Sequence, residues 1–192
     1  MDADGLTFAV ATTAEERLAK RLGFATVRVG VRAANGVPGG RVVSFGLAGA
    51  LRDDLEVGAV LDATRVVDAS GATLWEGPGL GVRGASAATV LGFDELVHDA
   101  AERRRLRESS GADAVDMESG VLARSGRLAG VVRVVSDGAE SAIEGVDRTV
   151  HPDGRTDVVG LTRWFARRPV AAARSMRDAV HALQALEEAV AP

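Results

Sequence analysis

Short apolar runs, separated by polar and glycine-rich turns, set the rhythm of this chain. Residues 6–11 form the first run, of a length suited to one buried strand. Thr12 and Thr13 then stand ahead of Ala14-Glu-Glu-Arg-Leu-Ala19, which reads as a helix start. Residues 25–31 and 42–47 are the second and third strands, joined by a turn-rich link over 32–40. The stretch 57–69 is β-branched but broken by polar residues, so it predicts one bent strand or two. Ser70-Gly71 turns it into a hairpin with Leu74-Trp75. Residues 76–84, with four glycines and a proline, are loop. Further on, the pattern predicts a strand at 85–92 and a helix at 94–109 that turns Leu96, Val97, Ala100 and Ala101 to one side. A short strand at 112–115, a helix from about 116 to 125 and a strongly β-branched strand at 131–135 come next. Residues 139–157 read as irregular. Pro169 opens the last helix, in which Ala173, Met176, Val180, Leu183 and Val190 recur at helical spacing and are expected to pack on the sheet.

Strands alternating with helices predict one α/β domain over residues 1–192, with a twisted, mainly parallel sheet. The 192 residues are ample for a single core. A formal net charge of −4 gives no basic footprint for nucleic acid. The basic runs Arg103-Arg104-Arg105 and Arg167-Arg168 read as solvated. With no cysteine there is no disulfide, thiolate metal site or cysteine nucleophile. His98, His151 and His181 are scattered without metal-ligand spacing; neither a metal nor a cofactor is expected. The acidic start shows no signal peptide and no apolar run nears the ~20 residues of a membrane span, which points to the cytoplasm.

Ligands of such sheets bind beyond the carboxyl ends of the strands. Glu15 and Glu16 follow the first strand, and Gly46-Leu47-Ala48-Gly49 closes the third. Asp116-Met117-Glu118-Ser119 follows the strand at 112–115, and Ser136-Asp137-Gly138 follows the strand at 131–135. One rim thus gathers carboxylates and a glycine turn without lysine or histidine, a set suited to acid–base work on a neutral ligand and poorly suited to phosphate. Each residue also has a purely structural role open to it. Thr13 with Glu16 has capping-box spacing, as has Thr12 with Glu15. Asp116 fits a helix N-cap, Glu118 suits a first helical turn, and Asp137-Gly138 is an ordinary turn pair.

Three segments, in order, carry a resemblance. Ser44-Phe-Gly-Leu-Ala-Gly-Ala-Leu51 with Leu55-Glu-Val-Gly-Ala-Val60, Val115-Asp-Met-Glu-Ser119, and Val132-Arg-Val-Val-Ser-Asp-Gly138 together resemble the purine nucleoside phosphorylase and methylthioadenosine/S-adenosylhomocysteine nucleosidase superfamily. The wording is most similar to the hopanoid-associated branch, which acts on adenosylhopane. The resemblance implies a shortened three-layer αβα sandwich, a nucleoside ligand and a homo-oligomer, with peripheral membrane contact if the substrate is a lipid nucleoside. It also implies roles. Glu118 would bind the ribose hydroxyls, with Met117 against the sugar. Asp137, oriented by Ser136, would protonate N7 of the leaving purine. Glu15, or Glu16 if the register slips by one, would hold the attacking water. Leu47, Ala48 and Gly49 would line the substrate.

The expected reaction is hydrolysis of the N-glycosidic bond of a 5′-substituted adenine nucleoside. Cleavage through an oxocarbenium-like sugar needs an acid for the leaving group and an activator for water. Phosphorolysis is the alternative, but the glycine turn offers Ser44 and Leu47 without a cation, and Arg41 lies earlier in the strand. A homologue that binds a nucleoside without catalysis is the third reading, to which the shortening of the link between the second and third strands and of the stretch from Trp75 to Gly84 lends weight.

Overall fold

The computed structural model describes residues 5–97, 99–140 and 149–191. Its centre is a mixed sheet of eight strands: β1 (Thr7–Val10), β2 (Thr26–Arg28), β3 (Val42–Ala50), β4 (Val60–Val67), β5 (Thr73–Glu76), β6 (Ser86–Gly92), β7 (Ala114–Asp116) and β8 (Leu128–Asp137). Five of the pairings are parallel and three antiparallel. β3, β7, β6, β4 and β8 pair in turn and return to β3, so the middle of the sheet closes into a ring. β1 and β2 extend outward from β3, and β5 from β4.

Helices cover both faces, the three-layer arrangement the resemblance implies. α1 (Thr13–Arg21) and α5 (Pro169–Val190) lie on one side. There Leu18, Ala182, Leu186 and Val190 pack against Phe8, Phe45, Val132 and Val134. α3 (Ser119–Arg124) lies on the other, where Leu122 and Ala123 meet Ala9, Val90 and Val131. Successive β8 residues thus serve opposite layers, which is why it has consecutive apolar residues, Val131-Val132 and Val134-Val135, on either side of Arg133 rather than a strict alternation. α2 (Ala100–Ser110) sits beside a smaller cluster of Leu51, Val67, Leu91 and Val97. α3 crosses β6 at close backbone range. A Cβ on Gly92 would stand 2.3 Å from the Gly120 Cα, so only glycine lets the two backbones approach so far.

Several elements depart from the sequence pattern. Of the two readings open for 57–69, one strand or two, the structure has the single strand β4. The Gly46–Gly49 segment is no turn; β3 runs straight through it to Ala50. The helix expected from Asp94 starts at Ala100, because Asp99 is the cap and accepts the Glu102 N–H. The helix expected from Asp116 starts at Ser119. Residues 158–167, which had no predicted element, form α4 (Val158–Arg167). Paired β-branched valines and Gly160 weaken its helical signal, and the Asp157 carboxylate caps it at the Gly160 N–H, 2.9 Å away. Of the irregular stretch expected at 139–157, residues 141–148 lie outside the described residues. The α5 stripe divides: Val190 and Leu183 turn inward, but Ala173, Met176 and Val180 are exposed.

Candidate active site

β3 changes neighbours along one edge. β1 pairs with residues 42–44, and β7 with residues 49–50. The main chain between them is left open on that side, at the carboxyl ends of β1 and β7. The Leu47 N–H, which lies in this gap, donates to Glu15 Oε1 at 2.9 Å. Gly46 permits the contact. A Cβ there would lie 2.1 Å from Glu15 Oε1 and 3.0 Å from Arg133 Nη1.

Glu15 reaches the gap because α1 begins where it does. Thr12 is the N-cap, and the capping box joins Thr12 to Glu15 rather than Thr13 to Glu16. The Glu15 Oε2 accepts the Ala11 and Thr12 N–H groups at 3.0 and 2.7 Å, while Oε1 points into the site. The cap and the site therefore use opposite oxygens of one carboxylate. Glu16 faces away, paired with Lys20 at 2.7 Å and Arg28 at 3.2 Å.

Arg133 rises from β8 into the centre of the cluster with 1% of its side chain exposed. Its Nε stands 2.6 Å from Asp116 Oδ2, and its Nη2 donates to the Ser44 and Ser119 hydroxyls and lies 3.7 Å from Glu118 Oε2. Burial works against the Arg133 charge, but Asp116, Glu118 and Glu15 outweigh it, so the guanidinium is held above its ordinary value. Asp116 also organises the start of α3, accepting the Glu118 and Ser119 N–H groups at 3.2 and 2.9 Å and the Ser119 hydroxyl. Glu118 itself occupies the N-cap position without a side-chain cap bond. Its Oε1 accepts the Arg32 N–H at 3.1 Å, from a residue in left-handed backbone conformation. Burial pushes the Glu118 carboxyl up to about 8; Asp116 and Glu15 push the same way and Arg133 opposes them. Met117, beside it, is half-buried.

Asp137 lies at the other end of the site, across the ladder from Gly49. Its Oδ1 accepts the Ser136 hydroxyl at 2.6 Å, and Ser136 also approaches the Ala48 carbonyl at 3.3 Å. Its Oδ2 is held by Arg103 Nη2. Arg103, expected as part of a solvated basic run, is instead buried, with 1% exposed. Its remaining Nη hydrogens go to the carbonyls of Ala50, Gly138 and Val97 at 3.2, 3.0 and 3.3 Å. Arg104 and Arg105 on the same helix are exposed as expected.

The structure thus brings Glu15, Glu118, Ser136 and Asp137 to one rim with Leu47, Ala48 and Gly49, and leaves Glu16 outside. Sequence reasoning missed Arg103, Asp116 as a partner of Arg133, and the Arg32 main chain. Only the second had a legible signal, because Asp116 stands two residues before Glu118 in the same short segment.

No family model matches the sequence, and no curated protein matches it either. Solved structures do match. A Helicobacter pylori 5′-methylthioadenosine nucleosidase mutant, with 5′-methylthioadenosine in its active site, aligns over 91% of this chain and 97% of its own, with 14% identity and a TM-score of 0.54. The Streptococcus pneumoniae 5′-methylthioadenosine/S-adenosylhomocysteine nucleosidase with a transition-state inhibitor aligns over 94% and 99%, with 13% identity and a TM-score of 0.57. Futalosine hydrolase of Helicobacter pylori aligns over 91% and 96%, with 14% identity and a TM-score of 0.54. The chain shares the fold of these solved structures.

Proposed function

We propose that the protein is an N-ribosyl hydrolase that releases adenine from a 5′-substituted adenine nucleoside. The observation that carries this reading is the placement of Glu15 and Glu118 beside Arg133 at the open edge of β3, with Asp137 of β8 further along, next to Gly49 of the same strand. In this reading Glu15 Oε1, steadied by the Leu47 N–H, holds and activates a water. Glu118 takes the ribose hydroxyls with Met117 beside the sugar, and Asp137 with Ser136 serves the leaving base. An acid and a water activator on separate elements suit a ribosyl centre with oxocarbenium character. Asp137 donates a proton only if it shares or releases its contact with Arg103.

Hydrolysis is favoured over phosphorolysis by the state of Arg133. Asp116, Ser44, Ser119 and Glu118 already surround it, and the other buried arginine of the site, Arg103, is held by Asp137. A phosphate dianion beside the Glu15 and Asp116 carboxylates would meet repulsion that Arg133, already paired, does not offset. A large apolar 5′ group is favoured over a phosphate by the absence of lysine from the rim segments, by Leu47 in the glycine segment and by the shortened loops, and it fits the resemblance.

The test is base release from methylthioadenosine, S-adenosylhomocysteine and adenosines with lengthening 5′-alkyl chains, with and without phosphate. Free adenine with a free sugar, independent of phosphate, is expected. Formation of a sugar 1-phosphate would establish the phosphorylase reading instead. A kcat/KM that falls steadily as the alkyl chain lengthens would overturn the apolar 5′ group.

A further inference from the structure

All the large hydrophobic side chains that stand exposed among the described residues lie in one stretch of 23 residues. They are Val158 (69% exposed) and Val159 (57%) on α4, and Val170 (76%), Met176 (40%) and Val180 (48%) on α5. The same stretch holds five arginines, Arg163, Arg167, Arg168, Arg174 and Arg177, against one acidic residue, Asp178, in a chain whose formal net charge is −4. All five arginines are exposed, and Asp178 is already paired with its neighbour Arg177 at 3.0 Å. A groove of about 820 Å³ runs here, with Phe165, Ala173, Met176 and Val180 along its walls; none of Glu15, Glu118 and Asp137 lines it.

We propose that the α4–α5 surface docks onto an anionic lipid bilayer. Apolar side chains interleaved with arginines are what an interfacial helix presents: the former enter the boundary between headgroups and acyl chains, and the latter meet the negative leaflet. Attachment is peripheral, since among the described residues no helix is long and apolar enough to cross a membrane. The charge argues against a second copy of this chain as the occupant, because a two-fold contact would set the same arginine-rich face against itself. The apolar side chains argue against nucleic acid, which would leave the exposed valines in water. The inference stands on this surface alone and does not depend on the nucleosidase reading.

The test is co-sedimentation of the full chain with vesicles of phosphatidylcholine alone and of phosphatidylcholine with phosphatidylglycerol, at low and high salt. Binding is expected to the anionic vesicles only and to weaken as salt rises. A triple Arg163→Gln, Arg167→Gln, Arg174→Gln variant should bind them about a hundredfold more weakly, from roughly 1 kcal/mol per arginine at the surface. A Val170→Ser, Met176→Ser, Val180→Ser variant should also lose binding. These side chains are exposed, so neither variant is expected to unfold, and circular dichroism checks this. Equal binding to neutral vesicles, no binding to anionic ones, or full binding by either variant would overturn the proposal. So would a dimer in analytical ultracentrifugation that the serine variant dissociates, which would show a second copy on this face.

Discussion

Two arginines, Arg133 and Arg103, are equally buried and serve the two ends of the site in opposite ways. Arg133 sits among three carboxylates and two hydroxyls; it is the counter-charge that allows Glu118, Asp116 and Glu15 to share one small volume. Arg103 meets a single carboxylate and three main-chain carbonyls, at Ala50, Gly138 and Val97. It ties the ends of β3 and β8 to the segment before α2, and Asp137 is held as part of that tie. The first end is governed by charge balance and the second by backbone geometry, so removing each arginine should do different things.

Arg133→Met is expected to have the largest effect. It leaves three buried acidic groups without a cation, a loss on the order of 3–5 kcal/mol, read as a large fall in urea midpoint. An unchanged midpoint would show that the carboxylates do not depend on it. Next comes Asp137→Asn, with turnover reduced about a hundredfold or more, as for loss of a general acid. This variant should also lose stability, because Arg103 is left buried and unpaired. Adding Arg103→Met should recover part of that stability and none of the rate. If the double variant regained the rate, Asp137 would have only a structural role.

Glu118→Gln sharpens the comparison through pH. The folded-state value of Glu118, about 8, lies above its ordinary 4.5. Between those limits the unfolded chain has given up a proton that the folded chain keeps, so the glutamate costs stability as pH rises through that window. The difference in melting temperature, variant minus wild type, should therefore grow between pH 5 and pH 8 and level off above. A flat difference would place the carboxyl in a more solvated setting than its burial shows. The smallest effect belongs to Glu16→Gln, which loses only ion pairs at the edge of α1 and should change stability by about 0.5 kcal/mol or less. Glu15→Gln should abolish water activation. The reverse order of damage would move the water-holding role to Glu16.

The carboxylates were legible in the sequence because each comes just after a strand, and a sheet of this kind gathers its post-strand residues at one rim. Choosing between Glu15 and Glu16 was harder, since Thr12 and Thr13 offer the same cap at two registers. A Leu47 N–H from a distant strand settles which glutamate faces the gap. Arg103 was illegible for a different reason. Three consecutive arginines on a helix point in three directions, and nothing local reveals which one meets an aspartate 34 positions away. α4 was hidden by its own composition, and the outward turn of Met176 and Val180 by a stripe that fits either a core or a surface.

The crossing of Gly92 and Gly120 has a consequence for how sequence variation in this protein should be read. Neither residue has a side chain that could touch a ligand, yet their contact sets how closely α3 lies against β6, and so where Glu118 begins its reach. A saturation scan scored on folding should tolerate little but glycine at position 92, and at position 120, where a Cβ would stand 3.1 Å from the Gly92 Cα, only small residues accompanied by a slight shift. Scored on activity at permissive temperature, it should still flag them, because a displaced helix carries its first carboxylate with it. Positions without functional groups would then rank beside the acidic residues, marking a tolerance in distance rather than a role in chemistry.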